Sequence, residues 1–269
     1  TSLESIIIPE GVTGIGLSVF QDCASLTSIV IPDGVKRIYY YTFSGCSNLA
    51  SVSIPDGITE IGNSAFYRCS SLTSISLPKG LEKIEDSSYC GCRSLESIVI
   101  PEGVTLIGKY AFFECSSLNS ISLPEGLSEI KEYAFSQCNS LTSIVFPERL
   151  VRIGYDAFSG CTSLNSVVIP ESVTYIGSSA FSGCTNLTSV EVPDGWAGLS
   201  NDLFEGTPFL ENLPGNLKIN GSLLLRYVGD EEEVVIPDMI KTIFFIAYIF
   251  TIYMLLFFTK IYNSILLNY

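Results

Sequence analysis

Leu49-Ala50-Ser51-Val52-Ser53-Ile54-Pro55-Asp56-Gly57-Ile58-Thr59-Glu60-Ile61-Gly62-Asn63-Ser64-Ala65-Phe66, closed by Cys69, is the stretch on which the reading of the fold turns. Val52 and Ile54 alternate with serine, the two-residue period of a strand buried on one face. Pro55 follows where a missing N–H costs no ladder bond, and Asp56-Gly57 supply a turn. Ile58 and Ile61 begin a second short extended piece, and Asn63-Ser64-Ala65-Phe66 reads as one tight helical turn that tucks the aromatic ring inward.

The same phrase recurs along the chain. Proline stands at Pro9, Pro32, Pro55, Pro78, Pro101, Pro124, Pro147, Pro170 and Pro193, a constant step of 23 residues. Cysteine keeps that step from Cys23 through Cys46, Cys69, Cys92, Cys115, Cys138 and Cys161 to Cys184, and leucine keeps it from Leu3 to Leu187. A fixed period of this length marks a solenoid in which each repeat is one turn of a superhelix. The expected fold is a right-handed, mainly β leucine-rich-repeat solenoid of about nine coils with short helical turns and a parallel sheet. At ~4.8 Å per coil it would be a rod roughly 40 Å long. Leu49, Val52, Ile54, Ile58, Ile61, Phe66 and Cys69 are the expected inward positions. One coil cannot bury enough apolar surface to offset its own ordering, so stability has to come from stacking.

Composition narrows the chemistry. The 269 residues carry 14 Lys and Arg against 28 Asp and Glu, a net charge of −14, which argues against a nucleic-acid partner. Histidine is absent, which removes the commonest general base and the commonest zinc ligand. No nucleophile elbow, phosphate loop, paired-acid or dinucleotide signature is present, so no enzyme, cofactor or metal is expected. The chain begins at Thr1 without a leader, and is expected to be cut from something longer.

The motif LxxIxIPxGVTxIGxxAFxxCxxL, from Leu49 to Leu72 and again from Leu95 to Leu118, resembles the BspA-like leucine-rich repeat, also found in treponemal surface proteins. The likeness runs from Leu3 to Phe204. It also extends to Phe204–Leu210, Gly221–Tyr227 and Val234–Asp238, which are similar to a longer variant repeat with an extra hairpin. The domain reading is accordingly a solenoid over 1–206, a variant repeat over 207–238 and an apolar tail over 239–269. The resemblance implies a cell-surface or secreted, non-catalytic protein that adheres to an extracellular protein or glycan. A structural spacer that displays another domain is the alternative.

Stacked coils would bring the periodic cysteines within disulfide reach. Pairing coils two by two would make odd and even repeats differ, yet the flanks of Cys46, Cys69, Cys161 and Cys184 show no such alternation, which favours a buried ladder of free thiols. Cys90 breaks the period, falls where Ser44, Ser136 and Ser159 lie, and is expected to be exposed and reactive. Acidic residues follow the prolines at Glu10, Asp33, Asp56, Glu102, Glu125, Glu148, Glu171 and Asp194, with Lys79 the exception. Single carboxylates fall short of the six to eight oxygens that calcium takes, so these and Glu231-Glu232-Glu233 read as solvated turns. Tyr39, Tyr40 and Tyr41 form either a contact patch or ordinary surface.

The outward strand face offers the candidate binding surface. Its serine column contains Ser74, Ser97, Ser120 and Ser143, flanked by a column with Thr73, Glu96, Asn119 and Thr142 and one with Ser76, Val99, Ser122 and Val145. This face is either a docking surface for an extended peptide or glycan, or simply what a tight parallel ladder tolerates. After Asp238 the period fails, and residues 242–259 are uncharged and long enough for a membrane helix between Lys241 and Lys260. Two readings stand for this tail: a genuine membrane anchor, or an out-of-frame artefact of A/T-rich DNA.

Overall fold

A computed structural model describes residues 2–193 and 202–213, together with the backbone of the strands Leu217–Asn220, Leu223–Tyr227 and Thr242–Ile243. It is a β-solenoid with repeats of ~23 residues, parallel bridges between coils and almost no helix. The three-residue strands carry the serine column: in Ser28–Val30, Ser51–Ser53, Ser97–Val99, Ser166–Val168 and Ser189–Glu191 the first and third side chains face solvent and the middle one is buried. Each coil then turns at its proline, with hydrogen bonds such as Val35 N–H to the Pro32 carbonyl at 3.0 Å, and returns through a two-residue strand such as Arg37–Ile38 or Leu106–Ile107.

The period sets the register. Ser97 pairs with Ser120 and Ile98 with Ile121, as Arg152 pairs with Tyr175 and Ile153 with Ile176, every partner one repeat away and parallel. Like side chains therefore stack on like. Arg37 meets Glu60 at 3.4 Å and Arg152 meets Glu129 at 3.5 Å across neighbouring coils, exposed pairs worth at most about 1 kcal/mol each.

The parallel sheets are interrupted. On the strand face they form three separate pairs, Ser28–Val30 with Ser51–Ser53, Ser97–Val99 with Ser120–Ser122, and Ser166–Val168 with Ser189–Glu191. The stretches 74–76 and 143–145 have the same exposed, buried, exposed pattern but join no ladder. On the return side a five-stranded sheet runs from Lys83–Ile84 to Tyr175–Ile176, while Arg37–Ile38 and Glu60–Ile61 form a pair of their own. Both ladders thus break between the coils that end in Cys69 and Cys92. That junction is held on its third side by Ser64 N–H to Asp86 O at 3.0 Å, Phe66 N–H to Ser88 O at 2.8 Å and Arg68 N–H to Cys90 O at 2.7 Å, and at the strand entrance by Ser71 N–H to Ser47 O at 3.1 Å.

That third side corrects the helical-turn reading of Asn63–Phe66. The segment is a chain of tight turns, with Ser64 at φ 56° and Arg68 at φ 57°, and the left-handed position recurs at Ser87, Tyr110, Tyr133, Asp156 and Ser179. Left-handed backbone costs a non-glycine residue roughly 1–2 kcal/mol. The compensation is intermolecular in style but internal to the chain: the alternating backbone aims N–H groups at the next coil, as in Tyr110 N–H to Glu132 O at 3.0 Å and Phe112 N–H to Ala134 O at 2.8 Å. An α-helical turn would spend those donors within its own coil.

Inside, Phe20, Phe43, Phe66, Tyr89, Phe112, Phe135, Phe158, Phe181 and Phe204 stack near-parallel with centroids 5.2 to 5.8 Å apart. Leu49, Val52, Ile58, Ile61, Phe66 and Cys69 are buried as expected, whereas Ile54 is half-buried and Ala65 fills the place beside the ring. The cysteines are free, and the thiols of Cys46 through Cys184 each donate to the phenylalanine or tyrosine carbonyl of the preceding coil, for example Cys138 Sγ to Phe112 O at 3.2 Å. A disulfide ladder would forfeit these bonds.

The solenoid core ends in a different geometry. Thr207, at the position where earlier coils have cysteine, caps the short helix Pro208–Asn212, whose Phe209 packs edge-on against Phe204 and whose Leu210 is buried. Farther on, Leu217–Asn220 and Leu223–Tyr227 pair antiparallel, and Thr242–Ile243 runs parallel to Leu223–Leu224. Among the described residues no helix is long and apolar enough to cross a membrane. The remainder of the expected anchor at 242–259, the acids Glu231–Glu233 and Asp194 lie outside the described residues.

Candidate interaction face

All twelve sequence-selected residues reach solvent: Thr73, Ser74 and Ser76; Glu96, Ser97 and Val99; Asn119, Ser120 and Ser122; and Thr142, Ser143 and Val145. They stand on four successive coils, separated from the core by buried Ile75, Ile98 and Ile144 and by half-buried Ile121. Only Ser97–Val99 and Ser120–Ser122 are ladder-paired to one another; the outer two coils flank that pair without joining it.

The relief of this face follows from side-chain size. Serines give a low centre, while Val99 and Val145, 69% and 82% exposed, rise beside it with Val30 and Val168 farther along the column. Valine is well suited to a strand, but its exposed methyls are more than a ladder needs. Where the sheet parts at Ser74–Ser76, a groove of about 630 Å³ opens between Ser74, Ser76, Ser97 and Val99. Lys79 and Glu102 stand at its turn end. Sequence reading treated Lys79 only as an interruption of an acidic column; that exception was the available signal for a groove end carrying both signs of charge.

Cys90 is not the exposed thiol that its position outside the period implied. It is buried, and burial pushes its thiol up to about 11, with the Glu114 carboxylate adding to the shift and Arg68 opposing it. The reason is steric. Cys90 lies between Tyr67 and Phe113 of the neighbouring coils, in a column otherwise occupied mostly by serine, and those rings shelter it. Tyr39, Tyr40 and Tyr41 are exposed, as are the acids that follow the prolines from Glu10 to Glu171.

The model of the BspA type leucine rich repeat region matches this chain in six copies, over residues 1–115 and 82–211. Among solved structures, a leucine-rich repeat protein from Bacteroides ovatus is 31% identical with a TM-score of 0.56, covering 68% of this chain and 53% of that one. The chain therefore spans about half the length of that relative. A leucine rich repeat protein from T. pallidum is 36% identical over 45% of this chain and 71% of its own, with a TM-score of 0.43. A leucine rich cell surface protein from Faecalibacterium prausnitzii is 29% identical, covering 65% of this chain and 62% of that one, with a TM-score of 0.46. A search of curated proteins gives no match.

Proposed function

The chain belongs to the BspA-type leucine-rich-repeat family, and from that premise we propose that it is a non-catalytic adhesion module, displayed on a cell surface or secreted, that docks an extracellular protein or glycan along its strand face. The observation that carries the reading is the face itself: in-register columns of small polar side chains, interrupted by valines that are more than half exposed. An extended ligand laid across the coils would meet Thr73, Glu96, Asn119 and Thr142 in one row and Ser76, Val99, Ser122 and Val145 in another, and residue variation along these rows gives it something to read. The groove at Ser74 and Ser97 offers a place for a protruding group. Nothing in this reading calls for a cofactor, a metal or nucleic acid.

The test is a binding screen of the chain against extracellular-matrix proteins and a glycan array, followed by the triple variant Ser74→Lys, Ser97→Lys, Ser120→Lys. These side chains are exposed, so the fold should persist while three long cations obstruct the face. Loss of at least about tenfold in affinity, with Thr105→Lys on the return side as a harmless control, is the expected result. Unchanged binding by the triple variant would instead favour a spacer that holds another domain away from the cell.

A further inference from the structure

A second irregularity gathers on the edge where the third side meets the strand entrance, away from the strand face. One column there reads Gln21, Ser44, Tyr67, Cys90, Phe113, Ser136, Ser159, Ser182, and the next reads Asp22, Gly45, Arg68, Gly91, Glu114, Gln137, Gly160, Gly183. A third, just after the cysteines, reads Ser47, Ser70, Arg93, Ser116, Asn139. Serine and glycine predominate in these columns, and apart from Gln21, Asp22, Gln137 and Asn139 the larger or charged residues fall on three successive coils and converge in space. They line a cavity of about 460 Å³ together with Ser47, Ser70 and Gly91.

The chemistry of the lining is definite. Tyr67 and Phe113 stand on either side of Cys90, two coils and so roughly 10 Å apart at ~4.8 Å per coil. The Arg68 guanidinium lies over the Tyr67 ring at 5.1 Å, and among the described residues it makes no ion pair with a carboxylate. Gly91, at φ +75°, makes room for it: a Cβ there would press to 3.2 Å from Arg68 Cγ. The one carboxylate in the lining, Glu114, is held by Arg93 at 2.6 Å, so the guanidinium of Arg68 is left as the uncompensated charge.

We propose that this cavity is a subsite for a single acidic sugar at the end of a glycan, its ring against Tyr67 and Phe113, its carboxylate on Arg68 and its hydroxyls toward Ser47 and Ser70. The mixed lining fits a sugar better than an apolar acid, because a sugar ring presents C–H faces and hydroxyls together. Overall charge limits the ligand further. A net −14 repels polyanions, so one terminal carboxylate is admitted where a polyuronate or a nucleic acid is not.

The experiment titrates the full chain by NMR with methyl β-glucuronide, the methyl glycoside of N-acetylneuraminate, methyl β-glucoside and N-acetylphenylalanine. At least one acidic sugar should bind about tenfold or more tightly than the glucoside, the worth of a charge-assisted bond. Arg68→Gln, which places here the residue that Gln137 supplies at the same backbone position with φ 63°, should reduce that sugar to the glucoside's level. Phe113→Ser, which restores the serine of neighbouring coils, should weaken acidic and neutral sugars alike. Equal affinity for acidic and neutral sugars, no binding of any sugar, or tighter binding of N-acetylphenylalanine would each overturn the proposal. The outcome is independent of the strand-face reading, since Ser74, Ser97 and Ser120 do not line this cavity.

Discussion

The thiol of Cys69 donates to the carbonyl oxygen of Phe43 at 3.2 Å, one coil back, and the same oxygen also accepts the backbone N–H of Cys46 at 3.1 Å. Each such carbonyl is thus shared between two coils. Cysteine suits the site because its sulfur is small and weakly polar: it fills core volume and still satisfies the second lone pair.

That arrangement makes the fold sensitive to alkali. Burial pushes Cys46 and Cys184 up to about 12, and Cys69, Cys115 and Cys161 well above the ordinary thiol value of 9.0, so the folded chain holds protons that the unfolded chain releases first. Stability is therefore complete below pH 9 and is lost as pH rises from there through about 12. Urea unfolding followed by circular dichroism should show a midpoint flat between about pH 7 and 8.5 and falling steeply above about 9.5. At about pH 8 the native protein should resist thiol reagents that modify it completely in denaturant. A midpoint unchanged to about pH 11 would contradict the assignment.

Tyr89 places a hydroxyl in the phenylalanine stack. It is fully buried between Phe66 and Phe112, and its oxygen has no hydrogen-bond partner among the described residues. Tyr89→Phe should therefore stabilise the protein by about 1 kcal/mol, the penalty of an unsatisfied buried polar group. Calorimetry would read this as a higher Tm, and a lower one would mean that the hydroxyl is satisfied.

The junction between the coils that end in Cys69 and Cys92 should open before the rest. Its strand-face and return-side ladders are both absent. Hydrogen exchange should find the amides of 74–76 exchanging at least about tenfold faster than those of Ser120–Ser122, whose coil is laddered to its neighbour. Equal protection would refute a weak junction.

Most of the fold is legible in the sequence because stacking turns a period into a register: Pro55, Ile58, Phe66 and Cys69 state their own neighbours at 23 residues on either side. Departures from the period are harder to read. Ser64 looks like a helix former's neighbour until the N–H groups beside it are seen to serve the next coil. Cys90 looks exposed because its column is otherwise mostly serine, and only the flanking bulk of Tyr67 and Phe113 covers it. The strand face could be selected by alternation alone, since that pattern is local. The cavity around Arg68 could not, because it joins residues of several coils whose only shared mark is that each breaks its own column.

Thr207 carries a consequence for how such a molecule changes length. Its hydroxyl donates to Phe204 of its own coil at 2.6 Å and caps Leu210 N–H at 3.3 Å, where the cysteines before it reach back to the preceding coil. A whole 23-residue unit copied or deleted between Cys92 and Cys161 would leave every surviving periodic thiol facing an equivalent carbonyl. The same unit inserted after Thr207 would find that hydroxyl already committed and Phe204 already in contact with Phe209. Length variation in such a gene should therefore accumulate upstream of Thr207, where recombination adds coils without disturbing the contact of Phe209 with Phe204.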